Sequence, residues 1–172
     1  MEKVVLFIDY QNLSAVLNRE GFQIDFVSLR DYLAEGRILT EVLCYIGLNS
    51  FETREGQEFY QSLKMSGFLV RFQEVQVDNS IQGGNTIQFA LDVADYLYAA
   101  RPDIVVIVTG DENYSALANW LRLQGVRVEV ASTPNNISPE LRGAANGFID
   151  LTKVIEEIQI RKEVISDGSR DR

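Results

Sequence analysis

The chain is 172 residues long, 46% hydrophobic and 24% charged, a composition that supports one globular domain with a sizeable core. It contains no histidine, which excludes Ser-His-Asp hydrolysis, histidine-bearing zinc sites and histidine general bases, so any chemistry must run on carboxylates. A formal charge of −9 argues against nucleic-acid binding through a broad basic face, yet leaves room for a site where acids hold Mg2+ or Mn2+ and the metal holds a phosphate.

The opening "MEKVVLFIDYQNL" puts an acid and a strand where a signal peptide would need a long apolar segment. No apolar run reaches the roughly 20 residues of a membrane span, so a cytosolic protein is expected. The first strand covers about Lys3 to Ile8 and closes on Asp9. Helical patterns follow over Leu13 to Glu20 and Phe26 to Glu35, stopped by Gly21 and Gly36. A second strand, Leu39 to Ile46, carries the lone cysteine, Cys44, which reads as buried packing and is given no role. A helix over Thr53 to Ser66, stopped by Gly67, leads to a strand over Leu69 to Val75.

The helix from Thr86 to Ala99 is announced by a capping box, with Asn85 as N-cap and Gln88 three residues on. Ile87, Ala90, Leu91, Ala94, Leu97 and Tyr98 form an apolar stripe at helical spacing and are expected to face the core. Asp92 stands out because Phe89, Val93 and Tyr96 flank it, whereas Asp95 reads as a solvated position. The apolar strand Ile104 to Val108 then breaks into "TGDEN", placing Asp111 off its carboxyl end. A helix over Ser115 to Gln124, stopped by Gly125, and a strand over Val126 to Ala131 follow. "SPELRGAANGFIDLTKVIEEI" suggests a short helix, a terminal strand and another helix. The expected organisation is a domain over residues 1–160 and a polar, disordered tail over 161–172 ending "SDGSRDR".

Strands alternating with helices predict an α/β three-layer sandwich, a mostly parallel Rossmann-like sheet with helices on both faces. If the strand order reverses beside the first strand, Asp9 and Asp111 meet at the switch point, where such sheets bind ligands, and the helix bearing Asp92 can approach them. Clustered carboxylates usually need a cation or raised pKa values to coexist, and hard oxygen ligands select Mg2+ or Mn2+. Taken singly, Asp9 and Asp111 read as caps of helices starting at Gln11 and Ser115. A nucleotide-binding Rossmann reading is weaker, because the first strand leads into "DYQNLS" rather than a Gly-x-Gly-x-x-Gly turn.

The segments "FIDYQNL", "ALDVADYL", "VTGDENYSAL", "LQGVRVEVAS" and "SPELRGAANGFIDL" together resemble the NYN domain of the LabA-like branch of the PIN-like nuclease superfamily. The resemblance runs over nearly all of Lys3 to Ile155. It implies a metal-dependent ribonuclease site in which Asp9, Asp92 and Asp111 hold Mg2+ or Mn2+ and Asn12 orients water or phosphate. Where the family usually carries acids, this chain has Thr86, Asn113 and Asn146. The implied function is therefore an attenuated endoribonuclease or a catalytically silent module that binds RNA or a protein partner. Expected substrate contacts are Tyr10, Thr86, Glu112, Asn113, Arg54 and Arg142, with Tyr114 as a further aromatic that stacks on a base or packs in the core. Single-stranded RNA is the nucleic acid the reading names. There is no DNA-specific or membrane signal, and a homo-oligomer is compatible with the sequence.

Overall fold

The computed structural model describes residues 1–73 and 86–168. Six strands build one sheet: β1 (Lys3–Asp9), β2 (Ile38–Gly47), β3 (Leu69–Gln73), β4 (Ile104–Val108), β5 (Arg127–Ser132) and β6 (Gly147–Asp150). Their order is β3-β2-β1-β4-β5-β6 and every pairing is parallel. β1 and β4 sit at the centre because their residues are apolar at nearly every position and can be covered on both faces.

Helices α1 (Tyr10–Glu20), α2 (Phe26–Leu33), α3 (Arg54–Met65) and α7 (Leu151–Gly168) cover one face. There Leu13, Leu29, Leu63 and Val154 pack on Val4, Leu6 and Ile8. Helices α4 (Thr86–Ala100), α5 (Ser115–Leu123) and α6 (Pro139–Ala144) cover the other, where Phe89, Val93, Ala118 and Leu141 pack on Val5, Phe7, Val105 and Ile107. Right-handed crossovers explain the division: the chain steps from β1 to β3 in one direction and from β3 through β4 to β6 in the other, so α1 to α3 fall on one face and α4 to α6 on the other. The result is the expected three-layer α/β sandwich, with the order reversing between β1 and β4.

Local chemistry sets the element ends. Asp9 accepts a hydrogen bond from the Asn12 N–H, so α1 begins at Tyr10, ahead of the expected Leu13. Gly21 ends α1 at a φ of 73°, where its N–H reaches the Leu17 carbonyl. The capping role expected of Asn85 and the last two residues expected in β3, at 74 and 75, lie outside the described residues.

Two expectations are corrected. The aliphatic stripe on α4 faces the core only in part: Ala90 and Leu97 pack against it, but Ile87, Leu91 and Tyr98 are 74%, 56% and 70% exposed. The helix is turned so that Phe89 enters an aromatic cluster, its ring centroid 5.6 Å from Phe7, 4.5 Å from Tyr45 and 4.7 Å from Tyr114. Large rings bury more area than the scattered alanines of the stripe, and they carry Asp92 inward with them. The second correction concerns residues 161–168, which continue α7 as helix instead of forming a tail. Arg161 pairs with Glu35 and Glu157 at 3.1 and 2.7 Å and lies over the Tyr32 ring, tying the helix extension to the body. Among the described residues, no helix is long and apolar enough to cross a membrane.

Candidate functional site

β1 and β4 end side by side, and Asp9 closes β1 with only 4% of its surface exposed. Its Oδ1 accepts the Asn12 N–H at 3.2 Å and its Oδ2 accepts the Thr109 hydroxyl at 3.1 Å. Burial pushes the Asp9 carboxyl above its ordinary pKa. The Asn12 amide and the Thr109 and Tyr114 hydroxyls oppose that push, and the charge of Asp111 adds to it. The acid is thus held in a pocket of donors beside a second acid. Burial first, and then Asp9's charge, also raises the thiol pKa of Cys44, which stays an inert core residue.

Asp111 follows β4 and is half-buried. Its Oδ1 accepts the Asn113 N–H at 2.9 Å and so caps the short turn Glu112–Tyr114. Both acids therefore act as caps, as their positions suggest, and Asp9 has hydroxyl partners besides. Glu112 and Asn113 project from the turn into solvent. Tyr114 is buried against Phe89, with its hydroxyl directed to Asp9. It is not an open stacking platform.

Asn12 is engaged within the chain through its side-chain oxygen. Its Oδ1 accepts the Gly110 N–H at 2.9 Å and the Asn136 side-chain amide at 3.0 Å, and Asn136 also donates to the Ser132 hydroxyl at 3.1 Å. Asn12 thus locks the start of α1 to the loops after β4 and β5 and positions Asp9 through its backbone N–H.

Asp92 is buried on α4 but faces a different set of partners. Tyr45 donates its hydroxyl to Oδ2 at 2.9 Å, Gln88 donates to Oδ1 at 2.9 Å, and Arg71 Nε lies 3.6 Å from Oδ2. Among the described residues, no group of three metal-ligating side chains converges, so the expected Asp9, Asp92 and Asp111 triad is not assembled as one cluster. The sheet register explains this. Tyr45 is the β2 partner of Asp9 and Arg71 is the β3 partner of Tyr45, so the three lie in one row on one face. The Tyr45 side chain occupies the row between Asp9 and Arg71 and delivers its hydroxyl to Asp92.

The sequence profile of the NYN domain matches residues 3–156. The chain belongs to the NYN domain family. It is 24% identical over 162 residues to the low amplitude and bright protein LabA of Synechococcus elongatus, covering 88% of this chain and 85% of LabA. A solved structure of a Vibrio parahaemolyticus protein of unknown function superposes with a TM-score of 0.77 at 20% identity, over 90% of this chain and 95% of that one, which supports the fold.

Within this NYN domain the other expected contacts are spread out. Tyr10 is half-buried, its ring centroid 4.9 Å from Phe59 and 5.7 Å from Phe26, so it belongs to an aromatic cluster rather than an exposed stacking surface. Arg54 is exposed at the start of α3 and pairs with Glu58 at 2.9 Å. Arg142 lies over the Phe148 ring at 4.8 Å. The Thr86 side chain lies outside the described residues. Asn146, read as one of the lost acids, stands at the amino end of β6, where it exchanges hydrogen bonds of 2.8 Å with the Val128 backbone. That is the opposite edge of the sheet from Asp9, so its neutrality takes no charge from the site.

Thr109, Asn136, Tyr45 and Arg71 are the residues that sequence reasoning passed over. Tyr45 and Arg71 sit inside strand-like runs with no motif around them, whereas Asn136 could have been suspected from the polar loop "STPNNIS" after β5.

Proposed function

We propose that this NYN domain carries an attenuated, divalent-metal-dependent ribonuclease site that acts on single-stranded RNA in the cytosol. The observation supporting it most is the pairing of buried Asp9 with Asp111 where the strand order reverses. Family membership adds to it, since PIN-like nucleases generally depend on divalent metals. The residues present fit such an ion as a two-carboxylate site: Mg2+ is commonly held by one or two carboxylates together with substrate phosphates. Asp9 and Asp111 would hold it, and when bound it would supply a Lewis acid and an activated water. Thr109 and the Asn12 N–H fix the orientation of the Asp9 carboxylate, and the Tyr114 hydroxyl stabilises its charged form. Attenuation follows from Asp92, whose oxygens are already taken by Tyr45, Gln88 and Arg71.

The Arg71–Asp92 pair also favours a second reading, a silent module that binds RNA or a protein partner. An RNA cleavage time course across a Mn2+ titration separates the two, comparing wild type, Asp9→Asn and the double variant Thr86→Asp with Asn113→Asp. Weak wild-type cleavage lost in Asp9→Asn and increased in the double variant supports the nuclease. No cleavage by any variant, with the fold and Mn2+ binding retained, supports the silent module.

A further inference from the structure

Asp92 is a buried carboxylate whose charge is answered from within the chain. Among the described residues three donors surround it, and the one that carries positive charge is Arg71, from the edge strand β3. Arg71 is 46% exposed at its side chain, while Asp92 is only 12% exposed at its own, so the guanidinium approaches from the open side. A divalent ion reaching Asp92 from that side would meet the guanidinium first. Tyr45 blocks the inner side: its hydroxyl remains a donor, because burial and the neighbouring Asp92 charge both raise its pKa.

We propose that Arg71 is a resident cation that takes the place of a divalent metal at Asp92, so that Mn2+ and the guanidinium compete for this carboxylate and the site holds its ion through Asp9 and Asp111 alone. The inference deepens the metal-site reading above and rests on it. An arginine cannot be deprotonated at working pH, so its charge is permanent. A carboxylate already paired and hydrogen-bonded gains less from a cation than a free one, which keeps the metal weakly bound.

The test is Mn2+ binding by titration calorimetry on the full chain, with wild type, Arg71→Met, Arg71→Lys, Asp92→Asn, Arg71→Met with Asp92→Asn, and Asp9→Asn. Arg71→Met is expected to bind Mn2+ about tenfold more tightly, the scale on which partners of metal ligands alter affinity. Arg71→Lys should stay near wild type, and the added Asp92→Asn should cancel the gain. If Arg71→Met does not tighten binding while Asp9→Asn still abolishes it, Arg71 is not the competitor and the Asp9 metal site stands. If Asp9→Asn leaves binding intact, the metal-site reading itself fails. Should Arg71→Met not fold, Arg71→Gln replaces it, and unchanged Mn2+ affinity in that variant would overturn the proposal.

Discussion

Asn12 and Asn136 lie 124 positions apart in sequence and meet through a 3.0 Å hydrogen bond from the Asn136 amide to the Asn12 carbonyl oxygen. Because the same oxygen accepts the Gly110 N–H, a single side chain ties the start of α1 to two loops at the carboxyl edge of the sheet. The packing there is tight enough to specify glycine.

A Cβ on Gly110 would stand 2.1 Å from the Asn136 amide nitrogen and 2.6 Å from its backbone oxygen, so Gly110→Ala must push the loop apart. We expect a loss of about 1–3 kcal/mol in urea unfolding, the usual cost of overpacking. Gly143→Ala is the contrast. Its Cβ would meet nothing within 4 Å and it lies in α6, so a gain of about 0.5–1 kcal/mol is expected. Equal effects of the two changes would contradict the described loop contact.

Asp9 gives stability a particular pH dependence. Burial raises its folded-state pKa above the ordinary 3.8, so the folded state holds a proton more tightly than the unfolded chain. This contribution is greatest below 3.8 and is lost as pH rises through the elevated folded value. Asp9→Asn keeps a capping side chain while removing the buried charge, so in metal-free buffer at pH 7 it should melt higher than wild type. A lower melting temperature would mean that the charge is better stabilised than its burial suggests.

Glu129 titrates in the opposite sense. Burial alone would raise its pKa, but Arg37, bidentate at 2.8 and 3.0 Å, and Arg127, at 2.9 Å, outweigh that and hold it below the ordinary 4.5. Its contribution is present above 4.5 and disappears as pH falls through the lowered folded value. Glu129→Gln should flatten the acid limb of the stability curve. Glu129→Ala, which strands Arg37, should cost about 1–3 kcal/mol at pH 7. Chemical denaturation between pH 3 and 7 measures both effects, and an unchanged acid limb in Glu129→Gln would refute the assignment.

The facing of α4 can be checked by a pair of truncations. Phe89→Ala should cost about 3–5 kcal/mol, whereas Leu91→Ala should stay within about 0.5 kcal/mol. The aliphatic stripe alone would have suggested the reverse order.

The sheet was legible because Val4 to Ile8 of β1 and the whole of β4 are apolar and glycines mark the helix ends. Asp9 and Asp111 were legible for the same reason, since a carboxylate stands out where a buried strand stops. The partner of Asp92 was not: Arg71 sits in a five-residue edge strand with mixed exposure, and only the register Asp9–Tyr45–Arg71 brings it beneath α4. Helical periodicity misjudged α4 because it counts apolar positions and gives no weight to which ring finds other rings. Asn146 was misread by overlooking that a residue just before a parallel strand belongs to the amino edge.

The central place of β1 bears on how the chain is made. It can pair with β2, and β2 with β3, once residue 73 has emerged, but its other edge waits for β4, and Thr109 is 100 positions beyond the Asp9 it bonds. Until then a nascent chain displays Val4, Val5, Leu6, Phe7 and Ile8 along an unpaired strand edge, the kind of surface that captures other strands. Fragments ending before Ile104 should therefore aggregate and depend on chaperones during synthesis. The candidate site, whose donors Thr109, Tyr114 and Asn136 come from the later half, can exist only after that hazard has passed.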